Sequence, residues 1–255
     1  MIGITALLVI VRTVQNERIL NEPEIIVEKF GEDPFLTDHE LLKNLKLKGL
    51  FTDGMRREEL NLEAIEAYVS SISQVKTVKV FTEIGNDWKI RITLRQPVVR
   101  VFNKYQESFY LDRDGDIMRT TTSHTARIIV ASGEIFDRID GESVNGIINN
   151  DSLKSIRKLD DIYRISNYVC YDPLFRILIG QIYLDPFGDF ILVPLVGDQK
   201  IVFGTANSEE EVKAKFEKLR IFYQEGMPYV GWETYAEINV KYDEQIVCKR
   251  KPTTE

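Results

Sequence analysis

The stretch VKVFTEIGNDWKIRITL, residues 78–94, decides the fold of the first part of the chain. Apolar and polar residues alternate on both sides of a Gly-Asn-Asp segment at residues 85–87. The alternating apolar residues are Val78, Val80, Trp88, Ile90, Ile92 and Leu94. A period of two around a turn segment predicts a β-hairpin with one buried face.

Two amphipathic helices are predicted upstream of this hairpin. Thr37-x-x-Glu40 is a capping-box signature, and a second helix begins near Asn61. A short strand at residues 25–27 precedes both helices. The resulting order β-α-α-β-β predicts an α+β module, in which the helices cover one face of a three-stranded sheet. The apolar face of the second helix consists of Leu62, Ile65, Val69 and Ile72.

Downstream of Arg100, short apolar segments alternate with turn signals, which predicts a mostly β region with packed helices. One helix is predicted over residues 152–168. Another is capped by Ser208-x-x-Glu211 and is predicted to stop at Gly226 and Pro228. The predicted strands are residues 109–111, 128–130, 181–184, 190–195, 200–203, 237–242 and 246–248.

The composition excludes several classes of protein. Of 255 residues, 44% are apolar and 29% are charged, too apolar for disorder and too charged for a multi-span membrane protein. With 33 basic and 40 acidic residues, the net charge of −7 argues against a nucleic-acid partner. Cys170 and Cys248 lack the spacing of metal ligands, and both buried free thiols and one bridge remain open.

An apolar run at the start of the chain, residues 2–11, is too short to cross a bilayer. Ten helical residues span about 15 Å, half of a hydrocarbon core of about 30 Å. We interpret residues 1–20 as a truncated membrane anchor, the trailing half of a single span, with a linker. A buried strand or a short core helix is the alternative.

The sequence contains no motif for catalysis or for a cofactor. The patterns GxxxxGK[ST], GxGxxG, HExxH and GxSxG are absent, and the two histidines, His39 and His124, are too few for a histidine-rich metal site. The segment DRDGD, residues 112–116, fits calcium ligation or a plain hairpin turn, and we favour the turn. The residues therefore offer no positive support for catalysis, and we predict no catalytic residue, no metal, no cofactor and no small-molecule substrate.

The last predicted strand lies near the carboxyl terminus, where an open sheet edge can pair with another chain. The basic run Lys249-Arg250-Lys251 and Pro252 follow it, and such residues also guard an edge against aggregation. From these residues alone, docking and guarding are equally open.

Taken in order, several segments resemble the bacterial FtsQ/DivIB family of cell-division proteins, over about residues 21–250. Each segment is loose by itself, whereas their order and spacing together are specific. They are Ile90-x-Ile92-x-Leu94-Arg95-Gln96-Pro97-Val98-Val99-Arg100-Val101, Tyr110-Leu111-Asp112-x-x-Gly115-x-Ile117-Met118, Pro194-x-Val196-Gly197, Lys215-Phe216-x-Lys218-Leu219 and Ile238-x-Val240-Lys241-Tyr242.

The resemblance implies a polypeptide-transport-associated (POTRA) domain at residues 21–101, a β domain with a carboxyl-terminal edge strand at residues 102–250, and a tail at residues 251–255. It implies a non-enzymatic divisome scaffold that binds FtsB and FtsL and influences septal peptidoglycan synthesis. Other divisome components would bind the POTRA domain. The implied location is the inner membrane, with a single span, a periplasmic bulk and a midcell position.

The resemblance also implies the partner-binding residues, since FtsB is expected to add a strand at the end of the β domain. Lys241 and Tyr242 match a basic-aromatic pair at the end of the penultimate strand, and Ile246, Val247 and Cys248 fall on the final strand. Two alternative functions belong to other classes of protein. One is a POTRA module that handles client proteins in assembly or secretion, and the other is a cell-wall hydrolase.

Overall fold

The computed structural model describes residues 18–28, 35–83, 85–121, 124–141, 143–154 and 156–252. They divide into two compact units, each with its own hydrophobic core. The first unit runs to Gln96 and includes Thr121–Thr125, and the second holds Pro97–Thr120 and the chain from Ala126 onward. The protein is a mixed α+β structure with one small and one large sheet.

The first unit packs two helices against a three-stranded sheet with the order β1-β3-β2. Strand β1 is parallel to β3, and β2 pairs with β3 in an antiparallel hairpin. A single 3₁₀ turn, Arg57–Glu59, lies between the helices. The elements in chain order are β1 (Glu24–Glu28), α1 (Asp38–Leu47), α2 (Leu62–Ser70), β2 (Val75–Thr82) and β3 (Trp88–Leu94).

Local chemistry explains where these elements begin. The Thr37 hydroxyl accepts the Glu40 N–H at 3.2 Å, and the Asn61 side chain accepts the Ala64 N–H at 3.0 Å. Both helices therefore begin at side-chain caps, as their sequence signatures predict. Trp88 is fully buried, and its indole N–H donates to the carbonyl oxygen of Asn21 at 2.9 Å.

The second unit is built on a nine-stranded mixed sheet with the order β12-β11-β10-β9-β8-β7-β4-β5-β6. The pairs β4–β7, β7–β8 and β10–β11 are parallel, and the other pairs are antiparallel. The strands are β4 (Pro97–Phe102), β5 (Ser108–Asp112), β6 (Ile117–Arg119), β7 (Ile129–Gly133), β8 (Ile179–Leu184), β9 (Phe190–Pro194), β10 (Lys200–Gly204), β11 (Tyr235–Asn239) and β12 (Val247–Arg250).

Helices of the second unit contribute buried apolar side chains to its core. Aromatic rings from α5 and α7 stack there: the rings of Tyr168 and Phe216 are parallel, with centroids 4.5 Å apart. These helices are α3 (Val144–Ile148), α4 (Asp151–Lys154), α5 (Leu159–Tyr171), α6 (Phe175–Leu178), α7 (Glu209–Ile221), a π-helical turn (Phe222–Gly226) and α8 (Met227–Val230).

Two predicted helices differ from the observed ones. The helix predicted over residues 152–168 is interrupted between α4 and α5, where the Asp137 carboxylate accepts the Lys158 N–H at 3.1 Å. The predicted stop at Pro228 is also wrong, because the π-helical turn leads directly into α8. Proline fits the first turn of a helix, since its missing N–H would have no partner there. The helical path ends at Gly231, whose φ of 87° favours glycine.

The segment at residues 112–116 forms the turn between β5 and β6, as predicted. One carboxylate oxygen of Asp112 accepts the N–H groups of Asp114 at 2.9 Å and of Asp116 at 2.8 Å. Gly115 has a φ of 80°, a conformation that this turn requires.

The predicted location as a single-pass inner-membrane protein is contradicted. Across the described ranges, no helix has both the length and the apolar character that passage through a bilayer requires. Residues 2–11, on which the predicted anchor rests, lie outside the described residues.

Candidate functional site

Strand β12 forms one edge of the nine-stranded sheet. It pairs with β11 in antiparallel register, with Ile238 opposite Cys248 and Asn239 opposite Val247. In the described part of the chain, no strand pairs with its other side. We call this side of β12 the free edge.

One hydrogen bond shows which backbone groups face the free edge. The N–H of Lys251 donates to the carbonyl oxygen of Thr234 at 3.1 Å, on the β11 side. Successive backbone N–H groups of a strand point to opposite sides, so the N–H of Lys249 also points toward β11. The N–H and C=O groups of Cys248 and Arg250 therefore point outward. They are the hydrogen-bonding groups that a further strand would use.

The side chains of this segment divide between two faces. Ile246 and Cys248 are partly buried against the hydrophobic core. Val247 is 46% exposed, and Lys249 is exposed as well. The strand begins at Val247, so Ile246 directly precedes it. Burial raises the pKa of the Cys248 thiol, which keeps this position neutral and apolar.

Lys241 and Tyr242 lie just beyond β11, because the backbone turns away from the sheet there. The Asn239 side chain accepts the Lys241 N–H at 3.1 Å. The Lys218 ammonium donates to the carbonyl oxygens of Val240 at 3.1 Å and Tyr242 at 2.5 Å. A long side chain from α7 therefore fixes the path of the chain between β11 and β12.

Lys241 positions its neighbour and is already ion-paired. Its Nζ atom lies 2.8 Å from an Asp189 carboxylate oxygen and 5.8 Å from the centre of the Tyr242 ring. The hydrogen bond to Asp189 raises the pKa of Lys241. Tyr242 is 45% exposed and precedes β12 by a short turn, so part of its ring is at the surface. Tyr242 thus has the properties of an aromatic contact residue, whereas the charge of Lys241 is balanced within the protein.

An apolar groove of about 410 Å³ adjoins the segment that leads into β12. Its apolar lining comes from Ile221, Phe222 and Ile246. Glu225 and Glu244 lie at the same groove, and neither has an ion-pair partner among the described residues. We call this feature the edge groove. It combines an apolar surface with two carboxylates and with Lys218, whose ammonium group is bonded to the carbonyl oxygens of Val240 and Tyr242.

The edge groove was not predicted from the sequence, although one of its residues, Ile221, carries a signal of a surface contact. Ile221 lies outside the apolar stripe Val212, Phe216, Leu219 and Tyr223 of its helix, and it is 55% exposed. An isoleucine off the core-facing stripe of a helix is a candidate surface contact. The glutamates carry no such signal, since charged residues are common in loops and at helix ends.

Both cysteines are free thiols and partly buried, which agrees with one of the two readings left open. Cys170 lies in α5 and contributes nothing to the free edge. Burial raises the pKa of its thiol, against the opposing effects of Arg113 and Arg176.

Most of the large unit matches a known protein family. The family described as FtsQ/DivIB, C-terminal related, matches residues 96–249, more than half of the chain. The match includes the large sheet, the edge groove and nearly all of β12. A search of curated proteins found no match.

Proposed function

The chain belongs to the FtsQ/DivIB family, through the domain described as C-terminal related, and on this premise we propose that it is a non-enzymatic scaffold of the divisome. The family match indicates a role in cell division and interactions with other divisome proteins. Its partners in this proposal are FtsB and FtsL, and its effect is on septal peptidoglycan synthesis.

The free edge of β12 is the observation that carries the proposal. FtsB adds a strand along this edge and bonds to the outward backbone groups of Cys248 and Arg250. Main-chain hydrogen bonds of this kind supply affinity, while alternate side chains supply specificity. The exposed Val247 contacts the added strand on the face opposite Cys248, and the partly exposed ring of Tyr242 supplies an aromatic contact.

The edge groove predicts which side chains the added FtsB strand should carry. Ile246 and Cys248 pack toward the core, so an added strand would direct every second side chain toward the groove on that face. An apolar side chain matches Ile221 and Phe222, and a lysine or arginine matches Glu225 and Glu244. We expect the FtsB strand to present an apolar residue together with a basic one.

The proposed POTRA domain, residues 21–101, holds the β-α-α-β-β series of the first unit and most of β4, and the proposed β domain and tail follow at residues 102–250 and 251–255. Support comes from its single β-α-α-β-β series, with both helices packed on one sheet. Other divisome components bind this domain in the proposal.

Paired variants at Arg250 test strand addition directly. Arg250→Pro and Arg250→Ala both lose the exposed side chain, but only the proline variant also loses the outward N–H. One net hydrogen bond is worth about 0.5–1.5 kcal/mol, so we expect FtsB to bind the proline variant about 2- to 13-fold more weakly than the alanine variant. Equal FtsB affinities, measured by calorimetry on folded proteins, would count against strand addition at β12.

Side-chain contacts are tested by co-purification with FtsB and FtsL. Deletion from Ile246 onward and Tyr242→Ala should both abolish FtsB capture. Tyr105→Ala is the matched control, because Tyr105 is 51% exposed and lies between β4 and β5, far from β12 in the sheet order. Undiminished FtsB capture by both the deletion and Tyr242→Ala would contradict the proposed site.

A further inference from the structure

A second groove lies in the large unit, at the amino-terminal ends of three parallel strands. Val98 of β4, Ile129 of β7 and Ile179 of β8 contribute apolar side chains to it. Its volume is about 370 Å³, within the ~300–1,000 Å³ typical of ligand pockets. Arg127 and Arg176 also line it, and we call it the arginine groove.

The two arginines of this groove are exposed and have no ion-pair partner among the described residues. Four other arginines of the same unit are ion-paired: Arg119 with Asp140, Arg138 with Glu107, Arg164 with Asp160, and Arg220 with Asp172. A guanidinium binds carboxylates through paired hydrogen bonds. Two unpaired guanidinium groups around an apolar surface therefore complement an acidic, apolar segment.

Cys170 keeps the wall of this groove uncharged. Its thiol lies in the lining, and burial raises its pKa, so the side chain behaves as a small apolar group. Leu195 extends the apolar lining and is 67% exposed. Leu195 lies close over the backbone of Gly180, where an added Cβ atom would come within 2.4 Å of the leucine side chain.

The arginine groove is separate from the free edge. Strand β8 is four positions from β12 in the sheet order, which corresponds to about 19 Å. A strand added at β12 would leave the arginine groove open.

We propose that the arginine groove is a second docking site, for a segment of a protein partner that presents a bulky apolar side chain next to carboxylates. The apolar side chain enters the groove between Val98 and Ile179, and the carboxylates bind Arg127 and Arg176. A protein segment fits better than a metabolite, because the family match implies protein partners. Docking here is independent of strand addition at β12.

A peptide display library with a central Leu-Phe pair and randomised flanks tests this proposal on the full chain. We expect selection to enrich Asp and Glu beside the apolar pair. Arg127→Gln combined with Arg176→Gln should weaken the selected peptide at least tenfold, whereas Arg91→Gln, an exposed arginine of the first unit, should leave its affinity unchanged. Arg127→Glu with Arg176→Glu should instead select Lys and Arg.

Occupancy is read out at Cys170. In a Cys248→Ser background, the selected peptide should slow alkylation of Cys170. On the wild-type chain, FtsB should not compete with the peptide. FtsB affinity should be the same in the arginine variants and the wild type, so this test and that of the β12 site fail separately. The absence of acidic enrichment, unchanged binding by the glutamine variant, or protection of Cys170 by dodecanoate but by no peptide would overturn the proposal.

Discussion

Replacing Arg164 with methionine is the sharpest stability test of the large unit. Its guanidinium lies 2.8 Å from carboxylate oxygens of both Asp160 and Asp161, and it donates to the carbonyl oxygen of Ala206 at 2.8 Å. The side chains of Asp160 and Asp161 are 4% and 5% exposed. Arg164→Met keeps a similar volume but leaves both carboxylates without their main counter-charge.

The expected loss is about 3–5 kcal/mol near neutral pH, the range for removing one partner of a buried ion pair. We expect the lower half of this range, because the ammonium group of Lys158 remains 3.1 Å from Asp161. Burial, followed by the charge of Asp160, raises the pKa of Asp161 to about 6. Protonation below that pH removes one unpaired charge, so the loss caused by Arg164→Met should shrink on acidification.

Urea unfolding followed by ¹⁹F NMR of 5-fluorotryptophan separates the two units, since Trp88 lies in the first and Trp232 in the second. The Trp232 transition should shift while the Trp88 transition stays in place. Arg138→Met is the control, because Arg138 forms an ion pair at the surface and should lose much less. Equal losses for the two variants, or a loss independent of pH, would refute the assignment of Arg164 as the buried counter-charge.

Three further predictions concern single residues. The folded-state pKa of Asp161 is raised, so its contribution to stability is present below about pH 4 and is lost as the pH rises through about 6. Asp161→Asn should therefore flatten the dependence of the free energy of unfolding on pH, measured by urea titration. Gly204→Ala should lower the free energy of unfolding by about 1–3 kcal/mol and weaken FtsB binding, because the φ of Gly204 is 77° and an added Cβ would lie 2.6 Å from the Cβ of Lys241. Gly188→Ala is the control in thermal melts, because Gly188 has a similar φ of 88° but open space around an added Cβ. In a Cys170→Ser variant, Cys248 should react with iodoacetamide more slowly than a fully exposed cysteine in a short peptide, and an equal rate would show that its partial burial is wrong.

Features set by neighbouring residues could be predicted from the sequence. Thr37 and Asn61 cap their helices through bonds spanning three residues, and the hairpin alternates around its turn. These features depend on residues close together in the sequence, so the tertiary fold does not change them. The last two strands were also predicted, with ends that differ by a few residues.

Features set by distant residues could not be predicted. The interruption before α5 depends on Asp137, which is 21 positions from Lys158. The path of the chain after β11 is held by Lys218, which reaches the Tyr242 carbonyl oxygen from 24 positions away. The edge groove combines helix and turn residues that only the tertiary fold brings together.

The assignment of the proposed site residues came from the resemblance and not from periodicity. For Lys241, the role implied by the resemblance differs from the one its contacts indicate. Its ammonium group is paired with Asp189 and lies near the Tyr242 ring, so it is a positioning residue for that ring. Val247 and Cys248 do lie on the edge strand, on opposite faces. Their roles in FtsB binding stay predictions.

Backbone amide exchange at β12 tests the central claim most directly. The N–H groups of Cys248 and Arg250 point to the free edge, whereas that of Lys249 points toward β11. Saturating FtsB should therefore slow exchange at Cys248 and Arg250 by far more than at Lys249, which is already protected. A complex that forms while exchange at both outward amides stays fast would contradict strand addition at this edge.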